Sequence, residues 1–286
     1  MASGEQASII QGMNASTSAL RPGTLAPQVG ILLREWRAAR HLSQLDLALD
    51  MGISARHLSC IETGKAHPSR DMVVRLADAL DVPLRGRNTL LLAAGYAPTY
   101  SETPLATDEL APVRRAIEFI LGQQEPYPAF VMNRYWDVLM TNRALTQVFS
   151  LVRGGPSLHG NVLRQIFDPE DMRAFVANWQ EVAGDVIRHL HEQVAAAPSD
   201  ARARALLDEV LGYPDVPPRW QLREPTRSPA PLLTTVFRNG EITLRFFSTF
   251  TTFGTPWDIT IEELRIESMF PADEETAALC RRLSTQ

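Results

Sequence analysis

Residues 44–64, QLDLALDMGISARHLSCIETG, constrain the fold more than any other part of the chain. Their apolar residues recur at the spacing of two short helices that pack against each other at a steep angle. Ala48 is small enough to let two backbones approach, and Gly52 can take the left-handed conformation that a tight turn requires. The pattern predicts a helix-turn-helix. The apolar residues between its helices are Leu47, Met51, Ile53, Leu58 and Ile61.

Residues able to cap a helix precede both predicted helices. Ser43 precedes the first, and Asp46 three residues later completes a short version of the capping box. Ser54 precedes the second helix. An ordinary antiparallel helix pair also needs packed apolar residues, but the small residue, the turn glycine and both caps at these offsets favour a DNA-binding motif. We therefore predict that residues 54–63 form the recognition helix.

The same stretch resembles the xenobiotic-response-element family of transcription regulators, which is related to the phage Cro and C1 repressors. The resemblance covers about residues 29–94 and lies in Gln44, Ala48, Gly52, Ser54, Leu58, Ser59, Ile61, Glu62, Gly64, Pro68 and Ser69. It implies that the recognition helix binds the major groove of double-stranded DNA, where Arg56 can bind a guanine. Gln44, Lys65 and Arg70 are candidates for phosphate contacts. The full set of predicted DNA contacts is Gln44, Ser54, Ala55, Arg56, His57, Ser59, Lys65 and Arg70.

The net charge of −5 is compatible with DNA binding once the chain is divided. Residues 1–100 carry ten Lys and Arg against eight Asp and Glu, whereas residues 101–286 carry eighteen against twenty-five. This asymmetry in charge fits an N-terminal DNA-binding domain joined to a second domain with another role. Because the basic excess is small, one copy should bind DNA weakly, and we expect a homodimer on two half-sites. A solvated surface position is the alternative for Arg56 and Arg70.

Composition divides the chain into four parts. Residues 1–28 are rich in Ser, Ala, Gly and Thr without a period, which predicts a disordered tail. Residues 29–95 carry five helical patterns, and residues 96–112 form a Pro-, Thr- and Ser-rich linker. Residues 113–286 are long enough for a second domain. The helices predicted around the motif are 29–40, 70–80 and a last one that begins at Pro83 and ends at Gly95.

The second domain changes from short strands to helices and then to strands. Residues 232–250 give the strongest hairpin pattern, with Asn239-Gly240 at its turn. Residues 259–266 carry alternating isoleucines that predict a further strand. The fold class is therefore α+β, a five-helix N-terminal domain followed by an antiparallel sheet with helices on one side, in the order of a PAS-type sensor. The predicted helices are 113–121, 142–149, 162–167, 169–194, 199–211 and 273–283, and the first two strands lie within 129–141.

This region also resembles the ligand-binding domain of MmyB-like regulators, over about residues 110–283. The residues that carry the resemblance are Tyr135-Trp136-Asp137-Val138-Leu139, Asn142, Ile166-Phe167-Asp168-Pro169, Trp179 and residues 250–274. The resemblance implies a PAS-like fold that holds a fatty acid or a similar apolar molecule. The chain departs from the commoner members in residues 251–258.

Ten residues of this domain are candidates for ligand contacts. They are Phe130, Met132, Trp136, Leu139, Asn142, Phe149, Trp179, Arg245, Phe246 and Phe250. The large apolar members could line a pocket or fill a solid core. Arg245 stands among apolar strand neighbours, and a buried arginine needs a carboxylate partner from a ligand or from the protein. An outward-facing strand arginine is the alternative.

Catalysis, metal binding and membrane insertion find little support. The stretch from Gly155 to Gly160 comes near a nucleophile elbow but places His159 where the motif needs glycine. His189 and His191 lie on different faces of one helix and no cysteine cluster occurs, so we predict no catalytic residue, metal or cofactor. No apolar run reaches about 18 residues, and no secretory signal is predicted. Two cysteines suit a reducing compartment, so we expect a cytoplasmic protein.

The sequence therefore predicts a transcription regulator, a repressor by analogy, whose second domain binds a small apolar effector such as a fatty acid. The alternative is an antitoxin-like or scaffolding DNA-binding protein whose second domain binds a protein partner. That alternative predicts a solid core in the second domain. An enzyme joined to a DNA-binding head would need convergent titratable groups in a cleft.

Overall fold

Five helices form the first part of the structure, a computed structural model that describes residues 25–197, 200–222 and 232–285. They are α1 (Leu25–Ala39), α2 (Gln44–Asp50), α3 (Ala55–Glu62), α4 (Arg70–Ala79) and α5 (Leu84–Ala93). The predicted five-helix unit is confirmed. The predicted tail, residues 1–28, is wrong in its last four residues because α1 begins at Leu25. Pro27 is compatible with that start, since the first N–H groups of a helix have no partner within it. Residues 1–24 lie outside the described residues.

The helix-turn-helix consists of α2 and α3. The Ser43 Oγ accepts a hydrogen bond from the Asp46 N–H at 3.1 Å, and the Asp46 carboxylate accepts one from the Ser43 N–H at 2.9 Å. Gly52 has a φ of +65° in the turn. A Cβ at Gly30 would lie 2.5 Å from the Glu62 carbonyl oxygen, so this glycine allows α1 to approach α3. The apolar residues predicted to pack between α2 and α3 are buried, except that Ile53 is half-buried. The buried ones are Leu47, Met51, Leu58 and Ile61.

The predicted linker, residues 96–112, has a defined path between the two parts. The Asn88 side chain of α5 accepts hydrogen bonds from the N–H groups of Thr99 at 2.9 Å and Tyr100 at 3.1 Å. Its amide nitrogen donates to the Tyr100 carbonyl at 2.7 Å. Farther along, Ser101 forms a parallel bridge with Asp258. The linker therefore contacts both the five-helix unit and the second domain.

A five-stranded antiparallel sheet organises the second part. Its strands are β1 (Ala129–Met132), β2 (Val138–Thr141), β3 (Thr234–Asn239), β4 (Ile242–Thr251) and β5 (Arg265–Pro271), in the spatial order β2-β1-β5-β4-β3. The helices are α6 (Ala111–Gln123), α7 (Arg143–Arg153), α8 (Val162–Phe167), α9 (Trp179–Ala196), α10 (Ala201–Leu211), α11 (Ile259–Glu263) and α12 (Glu274–Ser284). The predicted α+β class is confirmed. The predicted hairpin is present, with Asn239 paired to Ile242 and a φ of +56° at Gly240.

The long helix predicted for residues 169–194 is wrong in its first ten residues. Asp171 is buried and accepts hydrogen bonds from the Ser157 hydroxyl at 2.5 Å and the Leu158 N–H at 3.1 Å. Val176 then forms an antiparallel bridge with Phe237 of β3. These contacts draw the chain to the edge of the sheet, so the regular helix α9 begins only at Trp179.

The strand predicted for residues 259–266 is also wrong at its start. Residues Ile259–Glu263 form the short helix α11, which Asp258 caps by accepting a hydrogen bond from the Thr260 N–H at 2.8 Å. The strand β5 begins at Arg265 and ends at Pro271. Alternating isoleucines fit the period of a strand, but the capping aspartate favours a single helical turn here.

Helices cover both faces of the sheet. α7, α8, α9 and α10 pack on the face that carries Phe130, Met132 and Phe246, where they form the largest apolar cluster. α6 packs on the opposite face against Ala129 and Val131. The prediction that all helices lie on one side is therefore wrong for α6, because β1 is buried on both faces. Within the described residues, no helix has the length and hydropathy needed to cross a membrane.

Candidate functional site

α3 presents one side to solvent, as a recognition helix must. Arg56 and His57 are exposed, whereas Ala55 and Ser59 are half-buried. Ser54 caps the helix, and its Oγ accepts a hydrogen bond from the His57 N–H at 3.1 Å. Among the described residues, none forms a hydrogen bond or ion pair with the Arg56 side chain. Its guanidinium is therefore available to bind a base edge.

The remaining predicted DNA contacts differ in how freely they can reach a phosphate. Lys65 is exposed just after α3. Arg70 is exposed at the start of α4, and its Nη2 donates to the Thr99 hydroxyl at 2.8 Å. Gln44 is half-buried, and its amide nitrogen donates to a Glu62 carboxylate oxygen at 2.7 Å. The roles of these residues at DNA stay predictions.

Glu62, at the end of α3, holds three helices together. Its buried carboxylate accepts hydrogen bonds from Arg37 at 2.7 and 2.9 Å and from Gln44 at 2.7 Å, and the Arg34 guanidinium lies 3.7 Å away. Burial alone would raise the pKa of Glu62, but these hydrogen bonds outweigh it and lower that pKa. The network joins α1, α2 and α3, so it fixes which side of α3 faces solvent. Sequence reasoning missed this role, although Glu62 follows the buried Leu58 by one helical turn.

An apolar cavity of about 460 Å³ lies between the sheet and helices α7, α8 and α9. This volume is in the range of cavities that hold small molecules, about 300–1,000 Å³. Most of its wall is apolar, including Leu145 of α7, Val162 of α8 and Val186 of α9. The second domain therefore contains a cavity and not a solid core.

Four of the ten predicted ligand contacts lie in the cavity wall, namely Phe130, Trp136, Phe149 and Phe250. The other six do not line this cavity. Met132 and Phe246 are buried in the adjoining apolar cluster, where they pack the core. Leu139 is 40% exposed on β2, at the edge of the sheet.

Asn142, Trp179 and Arg245 stabilise the fold instead of lining the cavity. Asn142 caps α7 by accepting a hydrogen bond from the Leu145 N–H at 3.1 Å. Trp179 donates its indole N–H to the Ile166 carbonyl at 2.7 Å. Arg245 pairs with Asp273 at 2.9 Å. The Arg245 side chain is 41% exposed, so it faces outward, as in the alternative stated from the sequence.

Arg265 and Glu267 of β5 bring ionisable groups to the cavity wall. Glu267 lies between its strand neighbours Phe130 and Phe250, which also line the cavity. Burial raises the pKa of Glu267 to about 7, although a hydrogen bond with Ser248 opposes the shift. Sequence reasoning missed both residues. The alternation of side chains along a strand is the signal that could have found them. Ile266 faces α6, so Arg265 and Glu267 on either side of it must face the other side of the sheet.

Arg265 forms no ion pair with any described residue. Burial lowers the pKa of Arg265, and the positive charge of Arg134 lowers it further. In the part of the chain that the structure describes, no carboxylate pairs with this guanidinium. A partly desolvated cation without a partner is a site where an anionic group of a ligand would bind.

A second polar group lies on the α9 side of the cavity. Asp185 and His189 both contribute to the wall, and their side chains lie 3.2 Å apart. The hydrogen bond that the His189 ring donates to the Asp185 carboxylate raises the pKa of His189. Burial would raise the pKa of Asp185, but the bond to His189 lowers it overall. Because these two charges neutralise each other, Arg265 is the charged group of the wall most available to a ligand.

Trp136 brings an unsatisfied donor to the cavity wall. Its indole N–H is buried and finds no acceptor within the described residues. Its backbone has a φ of +66°, a conformation that non-glycine residues rarely adopt. A buried donor without a partner costs free energy, which a ligand oxygen could recover.

The family models decide the identity of the chain. One, described as an MmyB-like transcription regulator ligand binding domain, matches residues 113–283, more than half of the chain. The chain belongs to the MmyB-like transcription regulators. A helix-turn-helix model matches residues 33–86. A comparison with curated proteins finds no match. This MmyB-like regulator is therefore a DNA-binding transcription regulator with a ligand-binding domain, and both resemblances stated from the sequence are confirmed.

The near match to a nucleophile elbow has a structural role in this MmyB-like regulator. The Ser157 hydroxyl donates to Asp171, and the His159 ring lies 2.7 Å from Asp168. The serine and the histidine ring therefore bind different carboxylates and do not form a nucleophile–base pair. Among the described residues, no group of three or more His, Cys, Asp or Glu could hold a metal ion.

Proposed function

We propose that this MmyB-like regulator is a repressor that binds DNA as a homodimer and releases it when the cavity takes up a fatty acid or a similar amphiphile. The observation that carries the proposal is the apolar cavity whose wall includes Arg265, which has no ion-pair partner among the described residues. The ligand shifts the equilibrium between DNA-binding and released geometries only if it binds one geometry more tightly.

The lining of the cavity favours a ligand with an apolar body and an acidic head. Each methylene group moved from water into the apolar wall contributes about 0.8 kcal/mol. Arg265 supplies the positive charge for a carboxylate. Glu267, which keeps its proton up to a pH of about 7, can donate a hydrogen bond to the same headgroup. A medium-chain fatty acid satisfies all three requirements.

The DNA-binding half of the proposal depends on two copies. Arg56 on each α3 would bind a guanine, while Gln44, Lys65 and Arg70 contact phosphates. Two heads on one face of DNA require half-sites about 34–36 Å apart. A small rotation between the heads therefore suffices to prevent both from binding at once.

The competing function is an antitoxin-like or scaffolding DNA-binding protein whose second domain binds a protein partner. It predicts a solid second domain. The cavity of about 460 Å³ favours the ligand sensor.

Native mass spectrometry with added laurate tests the ligand half of the proposal. We expect one laurate per chain in the dimer. Val182→Phe places a larger side chain at a residue of the cavity wall and should abolish uptake. Leu139→Phe, on the exposed side of β2, is the matched control and should bind laurate like the wild type. Equal laurate uptake by wild type and Val182→Phe would show that laurate binds outside the cavity.

A further inference from the structure

The start of α5 in the DNA-binding head is capped by the ligand-binding domain. Its N-cap residue is Pro83, which offers no side-chain hydrogen bond. The Leu84 N–H instead donates to the Glu262 carboxylate of α11 at 2.8 Å. A helix N-terminus favours such a carboxylate because its first N–H groups lack partners. Glu262 therefore performs, from the second domain, the capping that α5 cannot supply itself.

The next residue of α5 is held by the next residue of α11. Arg85 donates to both oxygens of Glu263, from Nε at 2.7 Å and from Nη2 at 3.0 Å. Such two-pronged arginine–carboxylate contacts fix orientation as well as distance. Arg85 also pairs with Glu102 of the linker. Two consecutive contacts thus fix the position of α5, and with it the head, on α11.

Glu263 connects this contact to the ligand-binding domain. The Arg134 guanidinium, in the turn between β1 and β2, donates to Glu263 at 3.0 Å and to Asp200 at 2.5 Å. The side chains of Arg134 and Glu263 are only 15% and 14% exposed, so water screens the contact little. Glu263 therefore pairs with Arg85 of the DNA-binding head and with Arg134 of the ligand-binding domain.

The same segment enters the ligand cavity within two residues. α11 ends at Glu263, Leu264 is buried, and Arg265 then lines the cavity as the first residue of β5. The positive charge of Arg134 already lowers the pKa of Arg265, so the two guanidinium groups interact. An anion bound at Arg265 would attract Arg134 and repel Glu262 and Glu263.

We propose that residues 262–267 transmit occupancy of the cavity to the DNA-binding head: Glu262 and Glu263 hold α5, and an acidic headgroup at Arg265 weakens that hold. The proposal rests on the proposed function, since it needs a ligand in the cavity. The contacts with Glu262 and Glu263 hold α5 on α11. In the occupied protein the head is freer to leave the geometry that two half-sites require.

Thermodynamic reciprocity gives a test that needs no operator. If the ligand weakens the contact of α5 with α11, removing the contact must strengthen ligand binding by the same factor. Arg85→Gln removes the two-pronged contact but leaves Glu263 paired with Arg134. Arg281→Gln, which breaks an exposed pair within α12, is the control. Laurate affinity of the full chain is measured by tryptophan fluorescence, since Trp136 lines the cavity.

We expect Arg85→Gln to bind laurate at least about fivefold more tightly than wild type. Fivefold is the lower end of typical coupling factors between two sites. Arg281→Gln should bind within about twofold of wild type. Hydrogen exchange at the first turn of α5 should also rise in the wild type when laurate is added, since Leu84 loses its acceptor. Laurate binding by the wild type with equal or weaker binding by Arg85→Gln would overturn the coupling and leave the sensor intact. Failure of the wild type to bind laurate would overturn the proposed ligand class, and the coupling with it.

Discussion

At the scale of single residues, we expect Arg56 to determine sequence preference. It is exposed on α3 and has no partner among the described residues, so its full hydrogen-bonding capacity is available to a guanine. We expect Arg56→Ala to remove about 1–3 kcal/mol of discrimination at one base pair of each half-site. Binding to mixed-sequence DNA should change less, because phosphate contacts remain. The measurement is competition binding against operators substituted at single positions. Arg115→Ala, an exposed arginine of α6, should leave sequence preference unchanged.

We expect Glu267 to make ligand affinity depend on pH. Its pKa is raised from 4.5 to about 7, so the folded chain keeps a proton there that the unfolded chain releases. This proton stabilises the fold below pH 4.5, and the contribution is lost as the pH rises through 7. Above that pH the Glu267 carboxylate repels an anionic headgroup. We expect the affinity for decanesulfonate, whose head stays ionised, to fall on the order of tenfold between pH 6 and 8.

Glu267→Gln provides the matching variant, because glutamine keeps the shape of the side chain and cannot ionise. Its affinity for decanesulfonate should stay flat over the same pH range. Glu241→Gln, in the exposed hairpin turn, should behave like the wild type. A pH dependence that persists in Glu267→Gln would assign it to another group of the cavity, such as the Asp185–His189 pair.

At the scale of elements, the buried Glu62 network holds α1, α2 and α3 in one arrangement. Glu62→Ala leaves Arg37 without its carboxylate, and losing one partner of a buried pair costs about 3–5 kcal/mol. We expect hydrogen exchange in α1 and α3 to accelerate accordingly, while the strands of the second domain keep their protection. Asp50→Asn, at the exposed end of α2, is the control. Equal protection in Glu62→Ala and wild type would contradict the structural role assigned to this network.

Acidification should act on the same network. The pKa of Glu62 is lowered in the fold, so its contribution to stability is present above its ordinary pKa and is lost as the pH falls through the lowered value. Protection of α1 and α3 in the wild type should therefore decrease in acid. Glu62→Ala should show a smaller decrease, because the titrating group is absent.

Local signals predicted most helices because capping residues mark where helices begin. Ser43 and Ser54 cap α2 and α3 as the sequence indicates, and Ser69 caps α4 in the same way. The errors occurred where long-range contacts override a local period. Val176 leaves its helical pattern to bridge to β3, and the isoleucines of α11 fit a strand equally well.

The exposed residues of the recognition helix could be predicted from the sequence, whereas the residues of the ligand cavity could be predicted only in part. Exposure of Arg56 follows from the local pattern of a short amphipathic helix. The choice between Arg245 and Arg265 does not follow from local pattern, because both stand in strands among apolar neighbours. Which of them lines the cavity depends on the start of β5 and its register with β1 and β4. The pairing of β5 with β1 joins residues more than one hundred positions apart, which no local period encodes.

At the scale of the whole molecule, the charge distribution predicts dependence on two copies. The first hundred residues carry only two more basic than acidic side chains, ten against eight. We expect duplexes with one half-site to bind at least about tenfold more weakly than duplexes with two half-sites about 34–36 Å apart. The measurement is fluorescence anisotropy at fixed salt, with sedimentation to count copies. Equal affinity for one and two half-sites would contradict binding as a homodimer.

The most direct test of the account is the DNA affinity of the full chain as laurate is added. The duplex is one selected by the wild-type protein from a random pool, and dodecanol, which lacks the acidic head, is the control ligand. We expect saturating laurate to weaken DNA binding by about 5–150-fold, and Arg265→Gln to abolish most of that change while binding DNA normally without ligand. Unchanged DNA affinity when laurate is shown to occupy the cavity would contradict the claim that this chain is a ligand-responsive repressor.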